Sequence, residues 1–228
     1  MALDSLLIAT RSRGKLRELR PLFEALGLDV VDLDEAGLPE RDDEAGLEVY
    51  ETFEANALAK ARHFHRLSGL PTIADDSGLA VDALGGAPGV RSKRWSGRAD
   101  LSGQALDDEN NRLLLERLAG AGATGSEARR ARYVCAAAYE DGARELVCRG
   151  EVRGRILDVP RGTGGFGYDP YFFADELEHT FGEVSGAAKA MVSHRARAVR
   201  ALVRALASEG MVRASGDAVR DETERGAS

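Results

Sequence analysis

Residues 72–81, TIADDSGLAV, form an apolar run that is typical of a buried strand, but two carboxylates and a hydroxyl interrupt it. We predict a strand here, with Asp75, Asp76 and Ser77 placed together at its end. Asp, Ser and Gly also favour turns, so a simple turn is the alternative interpretation of the D-D-S-G run. The first interpretation has a chemical consequence, since adjacent acids at a strand end can hold a hard divalent cation and a water molecule.

The residues upstream of this stretch alternate between strand and helix patterns. A short apolar strand precedes an amphipathic helix, and a second strand follows that helix. An acidic loop without periodicity and another helix then lead into the central strand. The predicted segments are strand 5–10, helix 14–26, strand 28–33, loop 34–50 and helix 52–69. This order indicates an α/β domain with a partly parallel or mixed sheet.

The residues downstream predict a second part of the molecule. Glycine and proline shape the loop 82–96, and a helix follows over residues 102–120. Two strand-like segments, 131–140 and 144–159, predict an antiparallel ribbon that would form a second lobe. A single final helix is predicted over residues 186–208, where alanine and leucine give high helix propensity.

Length and composition favour one globular domain. The chain has 228 residues, of which 43% are hydrophobic and 30% charged, and these are ordinary globular values. We place the domain at residues 1–210 and predict that the polar tail, residues 211–228, is disordered. Cys135 and Cys148 are too few for a disulfide framework, so both are expected to be reduced.

Charge and hydropathy argue against two classes of partner. A net charge of -7 disfavours a sequence-independent grip on a nucleic acid polymer, because such binding depends on neutralising many phosphates. No stretch approaches the ~20 apolar residues that span a bilayer, and the first residues lack a secretory signal pattern. We therefore expect a cytoplasmic protein with no membrane partner, whose ligands include small anions.

The stretch ATRSRGKLRE, residues 9–18, has the features of a phosphate-binding site. A predicted strand ends in Thr10 and Ser12, and a helix opens at Gly14 and Lys15. Backbone N–H groups, two hydroxyls, an ammonium and the positive end of a helix dipole would then face one anion. The stretch is not the P-loop pattern, and the alternative is a capped helix with solvated basic side chains.

The stretch GTGGFGYDP, residues 162–170, presents aromatic side chains on a glycine-rich loop. Its glycines have the dinucleotide-binding spacing, but Pro170 and a strand-like segment follow where that motif needs a helix. We interpret it as a base-binding loop, in which an aromatic face stacks on a base and Asp169 accepts a hydrogen bond from it. The alternative is a glycine-rich turn with Phe166 and Tyr168 packed into the core.

The stretch KAMVSHRARAV, residues 189–199, gathers hydrogen-bond donors on the final helix. On one continuous helix Lys189 and Ser193 would share a face, with His194 and Arg195 beside them. These donors would converge on an anion or on the carbonyl oxygen of a heterocycle. A solvated basic face is the alternative.

Taken together, these stretches indicate a nucleoside triphosphate with its metal ion. Carboxylates suit Mg2+, which usually binds together with substrate phosphates, so the acidic pair of residues 75 and 76 is the candidate cation site. The acidic loop upstream offers Glu48 and Glu51 as a further ligand.

The same stretches resemble the inosine triphosphatase family, of the bacterial non-standard purine NTP pyrophosphatase type. The matching segments follow the family's order over residues 6–207 and include the highly specific run ADDSGLAVDALGGAPGV. The other segments are ATRSRGKLREL, TFEANALAKARH, DDENNRLLLERL, GTGGFGYDPYFF and KAMVSHRARAV.

The resemblance implies a fold, an activity and an assembly. The fold would be a two-lobed α/β fold, with a central mixed sheet, flanking helices, a smaller antiparallel lobe and a cleft between the lobes. The activity would be Mg2+-dependent hydrolysis of ITP, dITP and XTP to the monophosphate and pyrophosphate, which cleanses the nucleotide pool. The assembly would be a homodimer.

The resemblance also implies roles for single residues. Asp76 would be the general base and a metal ligand, with Glu48 as the second metal ligand and Glu51 as its rival. The substrate-binding residues would be Thr10, Arg11, Ser12, Arg13, Gly14, Lys15, Ser77, Phe166, Gly167, Tyr168, Asp169, Lys189, His194 and Arg195. Two positions depart from the family pattern: Ser12 stands where Asn is usual, and EVYETF replaces an E-T-G-x-T-F pattern.

Overall fold

The computed structural model describes residues 5–211, in which strands and helices follow the predicted order. The strands are β1 (Leu6–Ile8), β2 (Val30–Asp32), β3 (Thr72–Val81), β4 (Arg130–Glu140), β5 (Glu145–Ile156), β6 (Phe172–Ala174) and β7 (His179–Thr180). The helices are α1 (Arg13–Ala25), α2 (Phe53–Ser68), α3 (Gly103–Gly120), α4 (Gly186–Val192) and α5 (His194–Ser208). Short 3-10 helices in the connections include Asp42–Gly46 and Gly89–Arg94.

A seven-stranded sheet of order β2-β1-β3-β4-β5-β6-β7 organises these elements. β1 pairs in parallel with β2 and β3, whereas the pairs from β3 to β7 are antiparallel. The predicted α/β class with a mixed sheet is therefore confirmed. β3 is the strand at which the sheet changes from parallel to antiparallel.

β3 extends well beyond its parallel neighbour. β1 pairs only with the first two residues of β3, whereas β4 pairs with β3 along its whole length. Asp75, Asp76 and Ser77 therefore lie in the middle of a strand, so the predicted strand end and the alternative turn are both wrong. The three residues nevertheless follow closely on the last parallel pair, and the carboxyl edge of parallel strands is where α/β sheets bind ligands.

Gly78 shows why a glycine follows these polar residues inside a strand. A Cβ atom at this position would collide with the carbonyl oxygen of Gly89 and with Ser92 Oγ. Ser92 Oγ accepts a hydrogen bond from the N–H of Leu79 at 2.8 Å and donates to the Gly89 carbonyl at 2.7 Å. The glycine is thus needed for the close packing of the 3-10 helix Gly89–Arg94 against β3 and not for a turn.

Two hydrophobic cores lie along one face of the long strands. α1 and α5 pack on the first core, which includes Ile73 of β3, and α3 packs on the second, which includes Leu79 of the same strand. Since side chains alternate along a strand, Asp75 and Ser77 lie on this face between the two cores. α2 packs on the opposite face around Ala74. The result is a polar interval in β3 between two apolar regions.

β4 and β5 form the predicted antiparallel ribbon, joined by a turn in which the Asp141 carboxylate accepts the N–H groups of Ala143 and Arg144. They do not form a separate sheet, because β4 continues the central sheet next to β3. The antiparallel part is therefore a continuation of the central sheet, and the second core lies at the far ends of the same strands.

The final helix is divided at Ser193, so the prediction of a single helix is wrong. Ser193 has an extended backbone, with φ -63° and ψ 152°, and its Oγ accepts a hydrogen bond from the N–H of Ala196 at 3.2 Å. A serine in this role satisfies a free N–H at the start of a helix and thereby begins α5. Lys189 and Ser193 therefore do not share one helical face.

Two further predictions concern membrane-spanning helices and the polar tail. In residues 5–211, no helix is long and apolar enough to cross a membrane. Of the predicted polar tail, Met211 is described and packs into the first core, whereas residues 212–228 lie outside the described part.

Candidate active site

An open pocket of about 1120 Å³ lies over the polar interval of β3. The sequence-predicted residues that line it are Thr10, Arg11, Ser12, Gly14, Lys15, Glu48, Asp76, Ser77, Phe166, Gly167, Tyr168, Asp169, Lys189, His194 and Arg195. Arg13 does not line it, because it is the first residue of α1 and its side chain is exposed. Glu51 does not line it either. The fold thus brings five separate stretches of sequence to one site.

Asp76 faces α2 and the pocket. Its Oδ2 accepts a hydrogen bond from Asn56 Nδ2 at 2.9 Å, and its Oδ1 accepts from the N–H of Ser77 at 3.0 Å. Asn56 is oriented by Tyr50, whose N–H donates to Asn56 Oδ1 at 2.9 Å. Burial raises the pKa of Asp76, and the negative charge of Glu48 also raises it. A buried carboxylate with a raised pKa is suited to accept a proton from water.

Lys60 links Asp76 to Glu48. Its Nζ lies 2.6 Å from Glu48 Oε1 and 4.0 Å from Asp76 Oδ1, and it donates to the carbonyl of Asp75 at 2.5 Å. Burial opposes ionisation of Glu48, but the charges of Lys60 and Lys15 lower its pKa to about 2. Arg94 donates to the Glu48 carbonyl at 2.5 Å and fixes the backbone of this loop. The two candidate metal ligands therefore share one ammonium neighbour.

Asp75 is buried and points to the opposite face of the sheet. Lys15 Nζ and Arg195 Nε lie 3.2 and 3.1 Å from its Oδ2. Burial by itself would raise the pKa of Asp75, but the charges of Lys15, Arg195 and Lys60 outweigh burial and lower it. Asp75 does not line the pocket. Its position is that of an anchor for two cations and not that of a second metal ligand.

The predicted phosphate-binding loop has the expected local structure. Ser12 Oγ accepts a hydrogen bond from the N–H of Lys15 at 3.3 Å and caps α1, and Thr10 Oγ1 accepts from the N–H of Ser12 at 3.2 Å. The helix start therefore faces the pocket with its dipole, and Lys15 adds a full positive charge there. Ser12 thus fills the capping role.

Arg11 has a different surrounding from the one expected of a free phosphate ligand. Its guanidinium makes two hydrogen bonds to Glu44, at 3.0 and 2.7 Å, and donates to the carbonyls of Leu38 and Pro39 at 2.9 Å each. A planar guanidinium is well matched to such a bidentate contact. Arg11 therefore ties the acidic loop to the phosphate-binding loop.

Asp169, Lys189 and Glu18 form a largely buried charged group beside the pocket. Lys189 Nζ lies 2.6 Å from Asp169 Oδ2 and 2.6 Å from Glu18 Oε1. Burial raises the pKa of Asp169, and Glu18 adds to the rise while Lys189 opposes it. Arg195 also contacts Glu18. The two cations that the sequence assigned to the substrate are thus held by a glutamate from α1.

The two aromatic residues of the base-binding loop have different roles. Phe166 lies at the pocket wall, where its ring packs against Gly14 and lies 5.0 Å from Lys189 Nζ. Tyr168 is largely buried in the second core, and its hydroxyl donates to the carbonyl of Ser92 at 2.8 Å. The base-binding interpretation thus suits Phe166, whereas Tyr168 fits the alternative of an aromatic packed into the core.

His194 and Arg195 lie side by side at the start of α5. The His194 ring stacks on Tyr133 with centroids 4.7 Å apart, and its Nδ1 is buried without a hydrogen-bond partner in the described residues. Burial lowers the pKa of His194, and the charges of Arg195 and Lys189 lower it further. Arg195 Nη2 donates to Ser77 Oγ at 2.8 Å. His194 is therefore a neutral imidazole beside a cation.

The donor set fits a magnesium ion. Glu48 and Asp76 supply hard carboxylate oxygens around one ammonium, and Mg2+ characteristically takes one or two carboxylates and completes its shell with water and substrate phosphates. Among residues 5–211, no group of three or more His, Cys, Asp or Glu side chains is arranged to hold a metal by itself. A metal at this site would therefore depend on the phosphates of a ligand.

Asn56, Lys60 and Glu18 contact the predicted site residues and were not found from the sequence. Asn56 and Lys60 are four residues apart on α2, a spacing that places two polar side chains on one face of a helix and could have indicated them. Glu18 lies on α1 among other charged residues and gave no separate signal. Its role depends on α4 and α5, which only the fold brings beside it.

Sequence relatives of this chain are pyrophosphatases by their names. The dITP/XTP pyrophosphatase of Ralstonia nicotianae is 45% identical over 204 residues, which cover 88% of this chain and 96% of that protein. The dITP/XTP pyrophosphatase of Escherichia coli O157:H7 is 43% identical over 207 residues, which cover 90% of this chain and 98% of that protein.

Two solved structures with related names are also similar to this chain. A HAM1 protein from Coxiella burnetii matches with a TM-score of 0.75 and 33% identity, covering 91% of this chain and all of that chain. A nucleoside-triphosphatase / dITP/XTP pyrophosphatase from Mycobacterium abscessus matches with a TM-score of 0.64 and 41% identity, covering 87% and 98% of the two chains. The model of the Ham1 family matches residues 6–205, so the family predicted from the motifs is confirmed and the chain belongs to the Ham1 family.

Proposed function

We propose that the protein hydrolyses the deaminated purine nucleotides dITP, ITP and XTP to the nucleoside monophosphate and pyrophosphate. The observation that carries the proposal is the position of Asp76, which faces one pocket together with the phosphate-binding loop and the base-binding loop. The names of the relatives, dITP/XTP pyrophosphatase, support the same substrate class.

The proposed reaction is attack of water on the triphosphate, with cleavage between the α and β phosphates. Asp76 orients the water and accepts its proton, a role that suits a buried carboxylate with a raised pKa. Asn56 and the N–H of Ser77 hold the two oxygens of this carboxylate, so the proton acceptor has a fixed direction. The products are one monophosphate and one pyrophosphate.

Lys15 and the start of α1 would bind the pyrophosphate part of the substrate. The ammonium and the helix dipole both stabilise negative charge on the leaving group. Lys15 is held 3.2 Å from the Asp75 carboxylate, so its position is fixed before a substrate binds. Such preorganised charge is more effective than a mobile side chain, because little reorganisation is needed during the reaction.

We propose Glu48 and Asp76 as the residues that would hold Mg2+. When bound, the ion would neutralise charge on the phosphates and lower the pKa of water. Lys60 contacts both carboxylates, and it limits their mutual repulsion in the free protein.

The base would be recognised through its 6-keto oxygen. A hydrogen-bond donor of His194 or Arg195 would bind the 6-keto oxygen of hypoxanthine or xanthine. In adenine the same donor would meet the 6-amino group, which is itself a donor. Phe166 offers an aromatic face in the same pocket, beside the Lys189 ammonium.

Pyrophosphate release from a panel of triphosphates tests this function. With Mg2+, we expect dITP, ITP and XTP to be hydrolysed faster than dGTP and ATP by roughly 100-fold or more. Faster turnover of modified pyrimidine triphosphates would overturn the substrate class, and tight binding of ITP without product would indicate a nucleotide-binding module instead. The proposal includes a homodimer in the cytoplasm, for which light scattering of the purified protein tests the assembly.

A further inference from the structure

We propose that Asp107 and Asn111 of α3 are positioning residues that hold the base-binding loop at Gly167 and thereby set how sharply the pocket discriminates between purine bases. This inference rests on the proposed function. Neither residue is among those assigned to the site from the sequence.

Both main-chain polar groups of Gly167 are bound by one helix. The N–H of Gly167 donates to Asp107 Oδ2 at 2.8 Å, and Asn111 Nδ2 donates to the carbonyl of Gly167 at 2.9 Å. Asp107 and Asn111 are four residues apart, so they lie on the same face of α3. The pair forms a two-point clamp on a single residue of the loop.

The orientation of the Asn111 amide is determined by its surroundings. Its Nδ2 contacts two carbonyl oxygens, those of Gly167 and of Asp107, each at 2.9 Å. A carbonyl can only accept a hydrogen bond, so the amide nitrogen and not its oxygen must face them. Asn111 is buried, and its Oδ1 has no hydrogen-bond partner in the described residues. The side chain is therefore placed for its donor function.

Gly167 is a flexible position of this loop that needs external support. Its φ of 64° lies in the left-handed region, and a Cβ at this position would meet no atom within 4 Å. Glycine has the largest conformational freedom of any residue, so the loop could change its backbone conformation at an unsupported glycine. Its neighbours are held independently, because Asp169 Oδ2 accepts from the N–H of Phe166 at 2.9 Å and the Tyr168 hydroxyl binds Ser92.

Loss of the clamp would affect substrates unequally. Recognition of a base requires its donors and acceptors to meet the pocket within a few tenths of an ångström. A deaminated purine that fits the fixed loop loses affinity when the loop moves, whereas a purine that fits poorly has less to lose. The ratio of kcat/KM between dITP and dGTP therefore reports on the clamp.

The test compares Asp107→Ala and Asn111→Ala with the wild-type protein, using dITP and dGTP with Mg2+. We expect KM for dITP to rise about 10-fold, kcat to change by less than about 3-fold, and the dITP/dGTP ratio of kcat/KM to fall about 5-fold or more. Asp107 is only partly buried at the pocket wall, so its truncation carries the test even if Asn111→Ala does not fold.

Two further variants serve as controls. Asp107→Asn keeps an oxygen that can accept from Gly167, so it should retain the wild-type ratio. Asp108→Asn changes an exposed neighbour on α3 that contacts Gln104, and it should also retain the ratio.

An equal loss with dITP and dGTP in both alanine variants would overturn the inference, because it indicates a merely structural role. A loss in Asp107→Asn as large as in Asp107→Ala would also overturn it, since the carboxylate would then act on the substrate itself. If the wild-type protein releases no pyrophosphate from dITP, the proposed function fails, and the inference fails with it.

Discussion

Asp75 and Asp76 are adjacent in β3, yet their carboxylates serve opposite faces of the sheet. Asp75 contacts Lys15 and Arg195 from α1 and α5, whereas Asp76 accepts a hydrogen bond from Asn56 of α2 and faces the pocket. Burial raises the pKa of Asp76, while neighbouring cations overcome burial and lower that of Asp75. Two titratable neighbours with pKa values pushed apart can take separate roles, here an anchor and a base.

The anchor role of Asp75 predicts a large effect on stability. Asp75→Asn leaves Lys15 and Arg195 without their buried counter-charge, and breaking such a pair costs about 3 kcal/mol of unfolding free energy. Urea unfolding without ligand measures the change. Asp82→Asn is a matched control, because Asp82 and its partner Arg132 form a pair with both side chains exposed. Such pairs contribute less than about 1 kcal/mol to the free energy of unfolding. A loss no larger than that of the control would refute the anchor role.

The position of Glu48 predicts that Glu48, and not Glu51, affects the binding of Mg2+. Glu48 shares Lys60 with Asp76, whereas Glu51 does not line the pocket. Glu48→Gln should therefore raise the Mg2+ concentration for half-maximal activity about 10-fold, and Glu51→Gln should leave it unchanged. The measurement is pyrophosphate release from dITP over a Mg2+ titration. The reverse pattern would assign the ligand to Glu51.

The close contact of Gly14 with Phe166 predicts a larger effect on substrate binding than on stability. An alanine Cβ at position 14 would lie 2.9 Å from Phe166 Cδ1, so the ring would have to move away from the phosphate-binding loop. KM for dITP should rise about 10-fold, because the base-binding face is displaced. Stability should change little, because the preference for alanine over glycine in a helix, up to about 1 kcal/mol, offsets part of the cost of moving the ring. An unchanged KM would show that Phe166 does not depend on this contact.

His194 predicts a loss of stability in mild acid. Its pKa is lowered in the folded protein, so between about pH 7 and pH 5.5 the unfolded chain takes up a proton that the folded chain does not. The free energy of unfolding should therefore fall as the pH is lowered, and His194 should account for about 1 kcal/mol of that fall. His194→Phe can still stack on Tyr133 but does not titrate, so its urea midpoint should fall less. Equal slopes in both proteins would contradict the burial of a neutral imidazole.

Local patterns predicted the order of the elements and the strand over residues 72–81, but not that Asp75, Asp76 and Ser77 lie inside this strand, nor the break at Ser193. The three residues lie inside β3 because β4 pairs with it beyond the end of β1, which is a tertiary pairing that no local pattern records. The break depends on one serine cap inside a run of strong helix formers, where propensity favours continuation.

The residues of the site were predicted where one stretch carries several of them, as in the phosphate-binding loop. Glu18 was missed because its partners Lys189 and Arg195 are about 170 residues away in sequence and meet it only through the packing of α1 against α4 and α5. Arg11 lines the pocket, and its contact with Glu44 could not be predicted because it arises from the fold of the acidic loop, which has no periodicity.

We propose that Asp76 removes a proton from the attacking water. The most direct test is pyrophosphate release from dITP by Asp76→Asn with saturating Mg2+, compared with the wild-type protein and accompanied by urea unfolding of both. We predict a loss of about 1000-fold in kcat with an intact unfolding transition, because asparagine keeps the shape of the side chain but cannot accept the proton. Turnover within about 10-fold of the wild-type rate, in a folded Asp76→Asn protein, would show that Asp76 is not the proton acceptor.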